Sequence, residues 1–436
     1  MAHAAVLLVI AMALLATATT SSDALSPAGH LMDPQDIKKT IKQNKGDVID
    51  CVDINRQPSL KHPLFRDHKV QLKPTRSWKP NLEAEESSKL SSRVGAWQRA
   101  DQSWRRSGGS CPQGTVPIRR TPNGSAVDAA VAADAIRRSF SPAPSPSAGA
   151  AGDQAVGPQD GAAAAGPRIE VAASYAVNGP YHGAYAMLPV WKAHVEPKEA
   201  SHTYIHVAGT TNPTYVPFPG EDPPDLNNAV WVGLSQFPSM FGDDNPRLFV
   251  YYTTDNGQKH YCYNTGCAGF VQTSSRIALG GTFANFSAPG GSQIFLSVSI
   301  YKVRGWRAPV VGVGDGRGHE VLGYFPHFIF PRFFYEGLHN EMGGRVLNTW
   351  PQGRHTATQM GSGVLPAAAD PQKSPAAVVA AYFALNVTGH DFPDIARKKT
   401  VVTAPGCYGV QLGGDDRSAQ GFDTLFGGPG GPDCAS

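Results

Sequence analysis

Residues 293–303 read QIFLSVSIYKV, and their period of two decides the fold class. Ile294, Leu296, Val298 and Ile300 share one face while Ser297 and Ser299 fall on the other, the alternation of a β-strand. Residues 204–208, 247–254, 276–279, 321–330 and 377–387 are further strand candidates. Clusters such as GDDNP, TDNG, SAPGGS and GVGDGRG separate them with turn residues. Many short strands without long amphipathic helices predict an all-β, antiparallel β-sandwich from residue 169 to 436. Helix is expected only at 34–43 and 125–138, both outside that sandwich.

The rest of the chain divides into three zones. Residues 1–24 have a 13-residue apolar stretch (4–16) followed by small residues, with Ala16-Thr17-Ala18 and Ser22-Asp23-Ala24 as cleavage sites. That is the anatomy of a signal peptide, and the stretch is too short to span a bilayer. Residues 25–136 are charged and poor in long periodic segments. Residues 137–168 form a Pro/Ala/Gly/Ser-rich linker that buries too little apolar surface to fold, either an exposed place for a proteolytic cut or a plain spacer between two domains.

A secreted, extracellular protein fits the six cysteines: Cys51, Cys111, Cys262, Cys267, Cys407 and Cys434. Six cysteines allow 15 pairings. Proximity favours Cys262–Cys267 and Cys407–Cys434, which leaves Cys51–Cys111. Asn123, Asn285 and Asn386 stand in glycan-acceptor triplets. A net charge of +3 without a basic block gives nucleic acid no electrostatic footprint. The 14 His would make the protein more cationic in a mildly acidic wall. No metal or cofactor is expected from local spacing: no C-x-x-C or H-E-x-x-H occurs, and 312–318 fits a hairpin turn better than a phosphate loop.

Several ordered strings resemble the plant neprosin family, an activation peptide followed by a neprosin-type glutamic, proline-directed endopeptidase domain. Residues 47–75 and 114–121 resemble the activation peptide. GDDNPRLFVYYTTD (242–255), GCAGFVQTSSRIALGG (266–281), VLGYFPHFIF (321–330), HTATQMGSG (355–363) and FGGPGGPDC (426–434) match the domain in order and spacing. The resemblance implies a pro-protein whose N-terminal region covers the cleft until it is removed. It also implies two Glu facing each other, one to activate water and one to stabilise the oxyanion and protonate the leaving amine.

Both of those positions are changed. Counting back from the turn at 238–243 places Trp231 over the first family Glu, and Arg345 stands where "GGE" has the second. Indole has one N–H and no base, and a guanidinium stays protonated. Glu341, four residues before Arg345, is the nearest acid, about 13 Å away along a strand. Trp231, Arg345, His355 and Gln359 are therefore cleft candidates without an assigned catalytic role. A simpler reading makes Trp231 core filling and Arg345 a surface or structural ion pair. Ser362 in GSG lacks the Gly at position 360 that a serine-nucleophile elbow needs.

Three functions follow. One is a secreted pseudo-peptidase that binds a Pro-rich peptide or a cell-wall ligand without cutting it. The second is an active proline-directed glutamic endopeptidase made as a pro-protein. The third is a cell-wall or carbohydrate-binding β-sandwich.

Overall fold

The protein's structure is a computed structural model, which describes residues 33–43, 47–72, 96–106, 109–120, 126–141, 167–210, 226–302, 309–315, 318–330, 337–351, 354–370, 373, 375–385, 391–392, 398–413, 422–431 and 434. In chain order the strands are β1 (Ile37–Lys42), β2 (Val48–Asp53), β3 (Trp97–Arg99), β4 (Thr115–Arg119), β5 (Arg168–Tyr181), β6 (Gly183–Pro189), β7 (Ala200–Gly209), β8 (Asn228–Gln236), β9 (Arg247–Thr253), β10 (Tyr261–Tyr263), β11 (Val271–Gln272), β12 (Gln293–Lys302), β13 (Pro309–Asp315), β14 (Gly318–Tyr324), β15 (Gly337–Asn348), β16 (Ala377–Leu385), β17 (Asp391–Phe392), β18 (Lys398–Val402), β19 (Gly409–Leu412) and β20 (Phe422–Gly427). They make a seven-stranded sheet (β10-β9-β8-β7-β15-β5-β18), a ten-stranded sheet (β11-β14-β13-β12-β6-β16-β20-β19, with β17 and β3 beside it) and a three-stranded sheet (β1-β2-β4).

The two large sheets pack as an antiparallel sandwich, and strand alternation explains why. Ile205, Val207, Val230, Val232, Leu248 and Val250 of the seven-stranded sheet bury one face. They share a core with Ile294, Leu296, Val298 and Ile300 of β12, the apolar face of QIFLSVSIYKV. Ser297 and Ser299 turn the other way and bond the half-buried His319 at 3.1 and 2.9 Å. The opposite face of the seven-stranded sheet, with Tyr204, Trp231, Phe249 and Tyr251, is also buried, because the N-terminal region lies on it.

Several sequence expectations change here. Residues 34–43 are not a helix: Asp33 caps one 3-10 turn, Pro34–Asp36, and the β-branched alternation of IKKTIK then makes β1. Residues 276–279 make only an isolated bridge from Leu279 to Ile118, because Gln102 and the following Gly pair take the local backbone bonds. The candidate at 321–330 is strand only to Tyr324, after which Pro326 leads into the 3-10 turn His327–Ile329. The other four candidates fall in β7, β9, β12 and β16, of which β9 ends at Thr253, β12 at Lys302 and β16 at Leu385. The helix Ala126–Ser139 runs two residues past 137, and Phe140 is buried, so the linker's first residues are folded against the sandwich.

The N-terminal region is also more structured than its composition implies. Asp47 is shared by Arg247 (2.6 Å) and Arg119 (2.8 Å), and both arginine side chains are buried. Gln57 bonds the backbone of Gln272 in both directions, at 3.0 and 2.8 Å. β3 pairs in parallel with Gln293–Phe295 of β12, so the ten-stranded sheet takes one strand from this region. Disulfides join Cys51–Cys111, Cys262–Cys267 and Cys407–Cys434, the pairs favoured by separation in the chain. Among the described residues no helix is long and apolar enough to cross a membrane. Asn285 is exposed, whereas Asn123, Asn386 and residues 1–24 lie outside the described residues.

Candidate functional site

Register places one row of side chains straight across the seven-stranded sheet. Tyr175 on β5 is opposite Glu341 on β15, Glu341 opposite His206 on β7, and His206 opposite Trp231 on β8. Trp231 is in turn opposite Tyr251 on β9, and Tyr251 opposite Tyr263 on β10. Directly opposite residues share a face. Two positions along, Gly343, Tyr204, Gly233 and Phe249 form the next row, and Arg345, His202 and Ser235 the one after. A Cβ at Gly343 (φ +147°) would meet the Ala172 carbonyl oxygen at 2.4 Å, so a residue without one is needed there.

The middle row has side chains only at Tyr204 and Phe249, which leaves room for Arg345 to reach across it. Its guanidinium carbon lies 4.4 Å from the Trp231 ring centroid and 5.4 Å from that of Tyr204. The simpler expectation for Arg345 is corrected: it is 2% exposed and, among the described residues, has no carboxylate ion-pair partner. Its Nη1 instead donates to the carbonyl oxygens of Ser139 (2.8 Å) and Ser141 (3.3 Å). Trp231 is buried among cleft aromatics and the N-terminal segment, not in the core between the sheets.

Phe140, between those two carbonyls, fills the aromatic pocket. It stacks on Tyr251 (4.2 Å, 15°) and lies 5.0 Å from His202, 5.2 Å from Phe249 and 5.5 Å from Trp231. This is how a bound peptide would sit: one ring in a pocket, with flanking carbonyls held by a fixed cation. The fit is incomplete in one respect. Trp231 Nε1, both ring nitrogens of His202, His206 Nδ1, His339 Nδ1, Arg345 Nε and the Tyr251 hydroxyl are buried without a hydrogen-bond partner among the described residues. These unpaired atoms gather on one surface of the sheet, under Phe140 and beside it.

Glu341 is the carboxylate of this wall. Tyr204 donates a short hydrogen bond to it, and His339 Nε2 and His206 Nδ1 lie 3.5 and 3.8 Å away. Burial alone would raise its pKa, but the two imidazoles outweigh that and hold it well below the usual carboxylate range. Burial lowers His206 to about 4 against the pull of Glu341, and it lowers His202 to about 3 with help from Arg345. The Tyr204 phenol is pushed far up by burial and by Glu341. Glu341 is therefore ionised, and no second carboxylate touches this set among the described residues.

The remaining sequence candidates lie elsewhere. His355 bonds Glu170 (2.9 Å) and Arg168 (3.0 Å), while the Gln359 side-chain oxygen accepts from the His194 N–H (3.0 Å) and the Gln359 N–H donates to the His194 carbonyl (2.8 Å). Neither touches Trp231 or Arg345. Their HTATQMGSG segment instead holds the buried Glu199, which accepts from the hydroxyls of Thr349, Thr356 and Thr358. Sequence reasoning missed His202, Tyr204, His206, His339 and Phe140 as site residues. The alternation in HTYIHV was the available signal, with Ile205 and Val207 on the core face and His202, Tyr204 and His206 on the other. Among the described residues two His/Cys/Asp/Glu groups are close enough for a metal ion: His206–His339–Glu341, and His355 with Cys407 and Cys434. In the second group both sulfurs are tied up in a disulfide.

Residues 198–429 match the family model described as Neprosin, and residues 40–144 match the one described as Neprosin activation peptide. The second match includes the helix Ala126–Ser139 and Phe140. Among solved structures the chain is similar to a Scytalido-glutamic peptidase with a peptide-based transition state analog, at 8% identity and a TM-score of 0.30. It is also similar to SCP-B, a member of the Eqolisin family of peptidases in a complex with the tripeptide Ala-Ile-His, at 8% identity and a TM-score of 0.27. Each comparison covers 61% of this chain and 98% of the other.

Proposed function

The chain belongs to the neprosin family, and from that membership we propose that it is a secreted pseudo-peptidase, a peptide-binding protein whose cleft is filled in cis by its own residues 139–141. The observation that carries this reading is the Trp231–Arg345 stack under Phe140. Two acids dividing base and acid roles need two ionisable carboxyls in one cleft. Here an indole and a permanent cation occupy the two positions, and neither removes a proton from water. What remains suits recognition: a ring pocket for an aromatic or proline side chain, and a cation for a carbonyl or carboxylate.

The export signal read at 1–24 and the disulfides fit an extracellular site of action, in the apoplast or cell wall. The ligand is a peptide segment presenting a ring between accessible carbonyls, and a Pro-rich wall protein is one such source. A second reading keeps peptidase activity with Glu341 as the base; its support is that Glu341 is ionised and already bonded to a phenol.

The test uses secreted protein nicked within 142–166 and freed of residues 139–141, incubated at acid pH with reporter peptides containing Pro or Phe. Binding without cleavage is expected. Cleavage that Glu341→Gln abolishes would establish the second reading instead. A Trp231→Glu, Arg345→Glu double variant that gains cleavage would show that these positions are where the chemistry was lost.

A further inference from the structure

Beside the Phe140 pocket, the wall carries a second constellation that the peptide-binding reading does not use. Glu341 and His206 are direct cross-strand neighbours on β15 and β7, and His339 precedes Glu341 by two residues on the same face. One ligating atom from each lies within 4.8 Å of the others, with His339 Nε2 at 3.5 Å and His206 Nδ1 at 3.8 Å from the carboxylate oxygens. We propose that His206, His339 and Glu341 bind one divalent cation of the zinc class on the cleft wall.

The spacing favours an ion over a closed hydrogen-bond network. Contacts of 3.5 and 3.8 Å are too long for N–H···O bonds. They approach the edge of a coordination tetrahedron, about 3.4 Å for metal–ligand bonds of about 2.0–2.1 Å. His206 is more than nine-tenths buried, and its Nδ1, aimed at the cluster, has no hydrogen-bond partner among the described residues. A buried polar atom in that state calls for a ligand.

The first ligands are also braced. Trp231 lies flat on His206 at 4.0 Å and 3°, and Tyr175 stacks on His339 at 5.1 Å. Tyr204 holds one oxygen of Glu341, as an outer partner fixes a ligating carboxylate. Two imidazoles and one carboxylate suit zinc and its neighbours, whereas calcium and magnesium take oxygen ligands. Three protein ligands leave a fourth position for water or for a carbonyl or carboxylate of whatever enters the groove.

The full chain, secreted into zinc-containing medium, desalted and analysed for metal, is expected to hold about one equivalent. Titration with zinc against a chromogenic chelator should show affinity at least about tenfold weaker in His206→Gln and in His339→Gln. His194→Gln, at an exposed histidine, should match the wild type. Since His206 supports Trp231, loss of folding in that variant shifts the decision to His339→Gln and to zinc-edge X-ray absorption of the wild type, where two imidazole ligands are expected. Absence of bound zinc, an absorption spectrum without imidazole, or affinity unchanged in His339→Gln overturns the site.

Discussion

The Arg345 guanidinium lies against Trp231 on one side and donates to the Ser139 carbonyl on the other, so a single side chain ties the cleft to the segment that fills it. A hydrogen bond from a charged donor contributes about 1.5–3 kcal/mol. Arg345→Ala should therefore raise hydrogen exchange at Phe140 and Ser141 by roughly 10–100-fold. Arg345→Lys should recover only part of the protection, because an ammonium keeps the charge but not the planar fork. Equal protection in all three proteins would show that Phe140 alone holds the segment.

Phe140→Ala removes the ring that fills the aromatic pocket, and truncating a buried Phe costs about 3–5 kcal/mol. Loss on that scale in urea unfolding, partly regained by adding a Phe-containing peptide in trans, is the expected outcome. Loss without rescue would mean that the pocket exists only when its own chain builds it.

Neutral histidines set a stability limit on the acid side. Burial lowers both His202 and His319 to about 3, with Arg345 and Arg99 respectively adding to the shift. Above pH ~6.5 neither state takes up these protons. As pH falls from 6.5 towards 3 the unfolded chain binds them first, so stability declines across that window. In His319→Gln the slope of unfolding free energy against pH should flatten by about one proton, ~1.4 kcal/mol per pH unit near pH 4–5. An unchanged slope would show that His319 is protonated in the folded protein.

Asp47 sits between Arg119 and Arg247, where Asp243 also reaches Arg247 at 2.6 Å. Asp47→Asn takes away the carboxylate of Arg119 and one of the two carboxylates of buried Arg247, at a cost of roughly 3–5 kcal/mol. Thermal unfolding should then begin with the N-terminal sheet, read as early proteolysis in 47–72. A variant that melts in one step at the wild-type temperature would mean that Asp243 compensates fully.

The sandwich was legible because its strands obey a local rule. QIFLSVSIYKV declares its buried face within eleven residues, and the structure buries that face. IKKTIK misled because its Lys and leading Pro also suit a helix, and only the pairing of β1 with β2 decides the matter. Trp231 and Arg345 stood out as candidates from neighbouring motifs, but their contact did not, since it depends on two glycines in the row between them. Phe140 stood in a stretch whose composition denotes a linker, and nothing local reveals the pocket it enters. The His206–His339–Glu341 group left no trace in spacing because β7 and β15 meet only through the fold.

β3 runs alongside Gln293–Phe295 of β12, where Ala100 N–H also bonds the Phe295 carbonyl and Gln293 N–H bonds that of Ala96. A single cut within 142–166 therefore does not free the N-terminal region; it yields two chains held as one particle. Stripping that region away would leave Gln293–Phe295 unpaired on the side of β12 that β13 does not reach, a short bare edge in an otherwise paired strand. A nicked chain and one stripped of its N-terminal region would thus present different surfaces beside β12.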